Sequence, residues 1–365
     1  MGERGVTHGL KYQARSLAAA PGSTQQSRWL VGTNALREEN VVQLLEFNPE
    51  IEAINVLASY LHGQEIWHLA PHPTQEQTLA TISNQGKYDV SGSHTATLWD
   101  ITAKQQLEKK AELKAGSGTP RSVLWHPQRA TEAISIEDGR WRLWNLNDAA
   151  NMTGDVGAGD LYTFWGGAWD PHDPSRLCTA GGNGVQIWDI RSMKRIGELP
   201  DAHLMPVRDI DFAHQQQHKI VSAGDDCKLC IWDLRMLGSA STPLLELGGH
   251  SHWIWQAKFN PHHDSLLLSA SSDSLVTLWH TPVTAGESSR GQVGSRGLQG
   301  GAGGQSKGFG KEAHDGKACS YDDHEDSVYG AAWSLADPWT FASLSYDGRL
   351  VVNKVPSHIK YKILI

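Results

Sequence analysis

The sequence predicts an all-β fold, a single domain made of seven four-stranded antiparallel blades closed into a propeller. Three observations predict it. One set of polar residues recurs at one spacing: His203, Ser222, Asp226 and Trp232; then His250, Ser269, Asp273 and Trp279; then His324, Ser343 and Asp347, with Asn353 where the Trp would stand. Within each set the steps are 19, 4 and 6 residues (203 to 222, 222 to 226, 226 to 232). A fixed internal period reports a repeat architecture, and units of ~40–45 residues fit a propeller blade. The 365 residues then accommodate seven such units, and the 15 tryptophans recur at matching places in successive units. Between these markers the chain alternates short strand-like runs with turn residues, the pattern of antiparallel blades.

The units follow in order. The first, about residues 8–58, is divergent, with strands expected near YQARSL, RWLVGT, VVQLLEF and INVLAS. The second, 62–114, starts at His62 and ends its third strand at Trp99 and Asp100. The third, 119–157, contains SVLWHP and WRLWNL, and the fourth, 160–200, contains FWGGAW and VQIWDI. The three regular sets fall in the fifth, 203–248, the sixth, 250–324, and the seventh, 324–365. Residues 281–317, rich in Gly and Ser and nearly free of bulky apolar side chains, read as a disordered insert in blade six. Its length is tolerable because closure entropy grows only logarithmically. Ser288, Ser289 and Ser295 beside basic residues are its only hint of modification. The ending IKYKILI reads as a closing strand, since a ring must pair its last edge. Whether that strand or residues 1–12 seal the ring stays open.

These spacings resemble the WD40 repeat, and GGNGVQIWDIR (181–191) and GDDCKLCIWDLR (224–235) match its signature. The resemblance implies that His, Ser, Asp and Trp are hydrogen-bonded in series inside each blade. Ser, His and Asp also invite a hydrolase reading. A nucleophile, however, needs an exposed hydroxyl and an oxyanion site, and a set repeated three times on interior strands is structural. In blade four Gly182 stands at the expected Asp and Cys178 at the Ser; in blade three Asp138 is kept but Ile134 replaces the Ser; in blade two Ser93 takes the Asp position. These blades are expected to rely on packing.

Composition narrows the function. A net charge of −8 provides no general footprint for nucleic acid. No run approaches the ~20 apolar residues of a membrane span, and MGERGVTHGL lacks the apolar core of a signal peptide. Gly2 without Ser or Thr at position 6 supports myristoylation only weakly. Cys178, Cys227, Cys230 and Cys319 suggest no disulfide framework, and Cys227-x-x-Cys230 lacks the second ligand pair a zinc site needs. Neither a GxxxxGKS phosphate loop nor a cofactor motif is present. The expectation is a cytoplasmic, non-catalytic protein without metal, cofactor or nucleic-acid partner and without membrane insertion, monomeric within a larger complex.

Aligning the first strand of each blade exposes candidate binding residues. Five residues after the blade His stand Trp67, Arg208, Trp255 and Tyr329; strand alignment adds Arg121 and Trp165, and Trp253 lies two positions before Trp255. The WD40 resemblance puts this slot at the narrow mouth of the central channel. Trp, Tyr and Arg are the residues most enriched at interface hot spots, so the slot reads as a peptide- or helix-docking face, and Ala substitution at Trp255 and Arg208 is expected to leave the fold intact yet abolish partner capture.

Longer stretches carry a narrower resemblance: GLKYQARSL (9–17), HGQEIWHLAPHP (62–73), VRDIDF (207–212), HSHWIWQAKFNPHHD (250–264) and HEDSVYGAAWSLADPWTFASLSYDGRLVVNKVP (324–356). In order and over nearly the whole chain these are similar to the family of WD40 proteins that interact with the endosome-associated recycling and Golgi-associated retrograde tethering complexes. The resemblance implies binding to subunits of those multisubunit tethers, at endosomes and the trans-Golgi network, in support of recycling and retrograde transport. An alternative reading uses IVSAGDDCKLCIWDLR (220–235), which fits a box by which some WD40 proteins dock on a cullin-type ubiquitin ligase through positions matching Asp226, Trp232, Asp233 and Arg235. A chromatin-complex scaffold is a third class.

Overall fold

The computed structural model describes residues 4–22, 25–36, 38–84, 93–114, 116, 118–147, 150–158, 163–237, 241–284, 286 and 315–364. Its strands form seven four-stranded antiparallel sheets, so the propeller is the observed fold. Blade one runs through Ala14–Ala19, Ser27–Thr33, Asn40–Asn48 and Ala53–His62. Blades two to six each take four consecutive strands, with innermost strands Ile66–Pro71, Pro120–Trp125, Phe164–Trp169, Val207–Phe212 and Ile254–Phe259.

Blade seven is assembled from both ends of the chain. Val328–Trp333, Thr340–Ser345 and Arg349–Lys354 supply three strands, and Val6–Gly9 supplies the fourth, pairing Val6 with Val352 and Gly9 with Arg349. Residues 6–9 thus belong to the seventh blade, and blade one begins at Ala14. The expectation that IKYKILI closes the ring is overturned: Ser357–Leu364 is an α-helix. Its apparent alternation hides a four-residue spacing, with Ile359 buried and Ile363 half-buried against Trp339 and the core shared by blades six and seven. Four-residue spacing is the signature of a helix face, and the fourth-strand position was already filled. Gly348, in the hairpin of blade seven, has φ of 79°, and an added Cβ would meet the Tyr12 carbonyl at 2.6 Å. Glycine is required there.

The hydrophobic cores lie between blades. One joins Cys178, Val185 and Ile187 of blade four to Val207, Phe212, Ile220 and Trp232 of blade five. Another joins Trp29, Val31 and Phe47 of blade one to Leu344, Leu350 and Val352 of blade seven, sealing the ring. Indoles bridge the same seams: Nε1 of Trp29, Trp125 and Trp333 donates to the carbonyls of Ala332, Ala70 and Lys258 in the preceding blade, at 3.1, 2.9 and 3.1 Å.

The insert expected at 281–317 has ordered flanks. Thr281–Thr284 form a turn whose Val283 and Thr284 N–H groups donate to Asp315 at 2.7 and 2.9 Å, and Gly316–Tyr321 is the outer strand of blade six. Apart from Gly286, the rest of the expected disordered segment, including Ser288, Ser289 and Ser295, lies outside the described residues. No helix among the described residues is long and apolar enough to cross a membrane.

Candidate docking site at the channel mouth

The repeated polar residues build the frame. In blade five the Trp232 indole donates to Ser222 Oγ at 2.9 Å, Ser222 Oγ meets His203 Nε2 at 2.7 Å, and His203 Nδ1 meets Asp226 at 2.9 Å. Blade six repeats this with Trp279, Ser269, His250 and Asp273 at 2.8, 2.7 and 2.9 Å. Burial would raise the Asp273 carboxyl, but the His250 hydrogen bond and the Ser251 and Leu275 N–H groups outweigh it and hold it at about 2. Ser222, Ser269 and Ser343 are fully buried, so none offers the exposed hydroxyl that nucleophilic catalysis needs.

Blade seven departs from the expected series. His324 Nε2 meets Ser343 Oγ at 2.8 Å, yet its Nδ1 has no partner among the described residues and Asp347 instead accepts from Ser345 Oγ at 2.8 Å. Asn353 turns to Asp323 at 2.9 Å. With burial dominating, the His324 pKa falls to about 4.

Two substitutions expected from spacing are corrected. In blade three Ser135, not Ile134, receives the Trp144 indole at 2.9 Å; in blade four Thr179, not Cys178, receives Trp188 at 2.9 Å. The separation is 9 residues in both, against 10 in blades five and six, because the intervening hairpin is one residue shorter. A one-residue offset flips every side chain to the other face of a strand. Blade two keeps Trp99, Thr81 and His62 in series at 2.8 and 3.1 Å, with Gln64 O on His62 Nδ1 at 2.9 Å in place of an aspartate. Blade three replaces the His–Asp end with a buried Glu137–Arg142 ion pair, Ser135 Oγ donating to Glu137 at 3.1 Å.

The slot residues converge on one place. In every blade the innermost strand shifts register around a single residue: Arg15, Trp67, Arg121, Trp165, Arg208, Trp255 and Tyr329. Such a bulge re-aims one side chain out of the pleat. All seven line one cavity of about 180 Å³ at the channel mouth, with His68, His94 and Gln256. Six of them were readable by counting from the blade His or aligning strands. Arg15 was missed because blade one carries no His marker, although YQARSL was read as its first strand.

The ring is braced largely from one position, at or just past the end of the second strand. Arg121 forks onto Asp138 at 3.0 and 3.3 Å, and Arg208 onto Asp225 at 2.7 and 2.6 Å. Trp67 donates to Asn84 at 2.8 Å, Trp255 to Ser272 at 2.6 Å, and Tyr329 packs on Tyr346 with centroids 5.8 Å apart. In blade four that position is Gly182, and Trp165 is gripped instead between the Arg121 and Arg208 guanidiniums, 5.0 and 4.1 Å from its ring. Trp253, 39% exposed, continues the aromatic surface 6.2 Å from Trp255. The expectation that Arg208→Ala would leave the fold intact is revised, since Arg208 is the only partner that neutralises buried Asp225 among the described residues.

The remaining motifs are absorbed by the fold. In the 220–235 box Asp226 and Trp232 belong to the blade-five series, while Asp233 and Arg235 pair with each other at a short 3-10 turn. Cys227 takes the left-handed position of a hairpin turn, φ 64°, and burial pushes the Cys230 thiol up to about 12.

The family model that matches, over residues 2–279, is the EIPR1 beta-propeller. This chain belongs to that family. It is 36% identical over 99% of its length to a gecko (Gekko japonicus) EARP-interacting protein homolog, 98% of which is covered. It is 35% identical to the human EARP and GARP complex-interacting protein 1, with the same coverage. The Arabidopsis thaliana WD repeat-containing protein DWA2 is 34% identical, covering 97% of each chain.

Proposed function

We propose that this propeller is a non-catalytic adaptor that binds subunits of the EARP and GARP tethering complexes and supports endosomal recycling and endosome-to-Golgi retrograde transport. It works in the cytoplasm, peripherally at endosomes and the trans-Golgi network, as one copy within a larger assembly. The names of its full-length relatives support the partner, and one observation supports the surface: seven bulged strands aim three Arg, three Trp and one Tyr at a single mouth. Aromatic and guanidinium side chains held rigid before the partner arrives lose little entropy on binding. No part of this reading requires a cofactor, a metal, nucleic acid or a lipid-inserted segment.

Affinity purification of the tagged chain with mass spectrometry tests it. Recovery of tethering subunits is expected, and a Trp255→Ala/Tyr329→Ala form, which keeps the Arg121–Asp138 and Arg208–Asp225 pairs intact, should lose them. Recovery of a cullin-ligase adaptor or of chromatin proteins without tethering subunits would overturn the assignment.

A further inference from the structure

The three guanidiniums at the mouth are not equally neutralised. Arg121 and Arg208 each meet an aspartate at the bracing position. In blade one that position is Asn34, whose Nδ2 donates across the seam to the Ile66 carbonyl at 3.2 Å. Arg15 therefore meets neither a carboxylate nor a hydrogen-bond acceptor among the described residues. Among the described residues only rings hold it: Tyr329 at 4.2 Å, Trp67 at 4.9 Å and Trp255 at 5.1 Å from the guanidinium carbon. No Asp or Glu among the described residues lines the cavity. Burial, reinforced by Arg208 and Arg121, disfavours the charged form of Arg15, as expected of a cation lacking its counter-charge.

We infer that the mouth is a receptor for a carboxylate on an acidic peptide segment of the partner, with Arg15 as the residue that pairs with it. A guanidinium fork matches a carboxylate bidentately, and the flanking rings offer apolar faces for the methylenes of a Glu or Asp side chain. About 180 Å³ admits one side chain and excludes a folded element. A Lys or Arg from the partner would face the Arg15 charge, which no carboxylate among the described residues offsets. Exposed Leu204 and Met205, in the loop entering the Arg208 strand, and Trp253 beside Arg208 supply apolar surface for the residues flanking the inserted acid. This inference rests on the docking reading above and names the chemistry of the bound segment.

The test is titration of the full chain with a hexaglutamate peptide, hexaglutamine and inorganic phosphate, followed by the fluorescence of the mouth tryptophans and by calorimetry. Hexaglutamate should bind, hexaglutamine should not, and Arg15→Gln should weaken binding about tenfold or more, the scale of a charge-assisted pair of about 1.5 kcal/mol. Asn34→Asp, which places an acid where blades three and five already carry one, should weaken it similarly. Arg15→Lys should recover only part, since it keeps the charge and loses the fork. Hexaglutamate binding unchanged in both Arg15→Gln and Asn34→Asp, or equal binding of hexaglutamine, would overturn the receptor, as would phosphate binding alone. Arg15→Gln losing hexaglutamate while still recovering tethering subunits would support the receptor and overturn only its use for tethers.

Discussion

Arg15, Arg121 and Arg208 occupy the same slot in three blades, yet truncating them should have three different consequences. The Arg208 side chain is 12% exposed and its partner Asp225 4%. Arg208→Ala leaves a buried carboxylate without its fork, which costs about 3–5 kcal/mol. The Arg121–Asp138 pair is more open, with side chains 27% and 33% exposed, so Arg121→Ala should cost only about 1 kcal/mol. Arg15→Ala strands no acid; it removes cation–π contacts of about 0.5–1 kcal/mol each and relieves repulsion from the other guanidiniums, for a net loss of about 1–2 kcal/mol. Urea unfolding followed by tryptophan fluorescence, with midpoints compared at unchanged slope, measures all three. The Arg208→Ala/Asp225→Ala double variant should recover more than half of the single variant's loss, because removing both partners removes the stranded charge. Equal losses for Arg15→Ala and Arg208→Ala, or a double variant no better than Arg208→Ala, would refute the bracing argument.

Ser222→Ala should lose about 2–4 kcal/mol, since it strands the Trp232 indole and one His203 nitrogen, whereas Ser343→Ala, which strands only His324, should lose about half as much; denaturation midpoints decide. Stability should fall on acidification in two separate windows. Folded His324 titrates near 4, below the ordinary 6.5, so the folded state binds fewer protons between these values and stability is lost at up to about 1.4 kcal/mol per pH unit as pH drops through them. Asp273, held near 2, withdraws its contribution only below its ordinary value near 4. His324→Gln should make the first window shallower, with His68, which burial also lowers to about 4, supplying part of what remains, and should leave the second, as read by thermal melts against pH. Deleting residues 1–9 removes the strand that pairs with Arg349–Lys354, and the exposed edge should make the truncated chain self-associate in light scattering.

The propeller was legible because its markers are rigidly spaced: His, Ser, Asp and Trp sit on strands whose hairpins rarely change length. Where a hairpin did change length the reading slipped, and Ser135 and Thr179 were mistaken for their neighbours Ile134 and Cys178. The seam was not legible, since strand pairing of Val6–Gly9 with the last strand joins residues more than three hundred positions apart and leaves no local signal. The C-terminal helix was misread because alternation and four-residue spacing coincide in a segment as short as IKYKILI. The channel mouth was mostly visible from the slot count, but its electrostatics were not. That Asp138 and Asp225 neutralise two guanidiniums while Asn34 turns to the next blade is a matter of side-chain direction, which sequence spacing does not encode.

The central claim is that the ring of Arg15, Trp67, Arg121, Trp165, Arg208, Trp255 and Tyr329 meets the partner. Hydrogen exchange of the full chain, alone and with purified tethering complex, tests it most directly. Protection is predicted where the seven innermost strands bulge and in the loops bearing Leu204 and Trp253, with the outer strands of the blades unchanged. Protection confined to the outer strands or the opposite face, with the bulged segments exchanging as in the free protein, would contradict it.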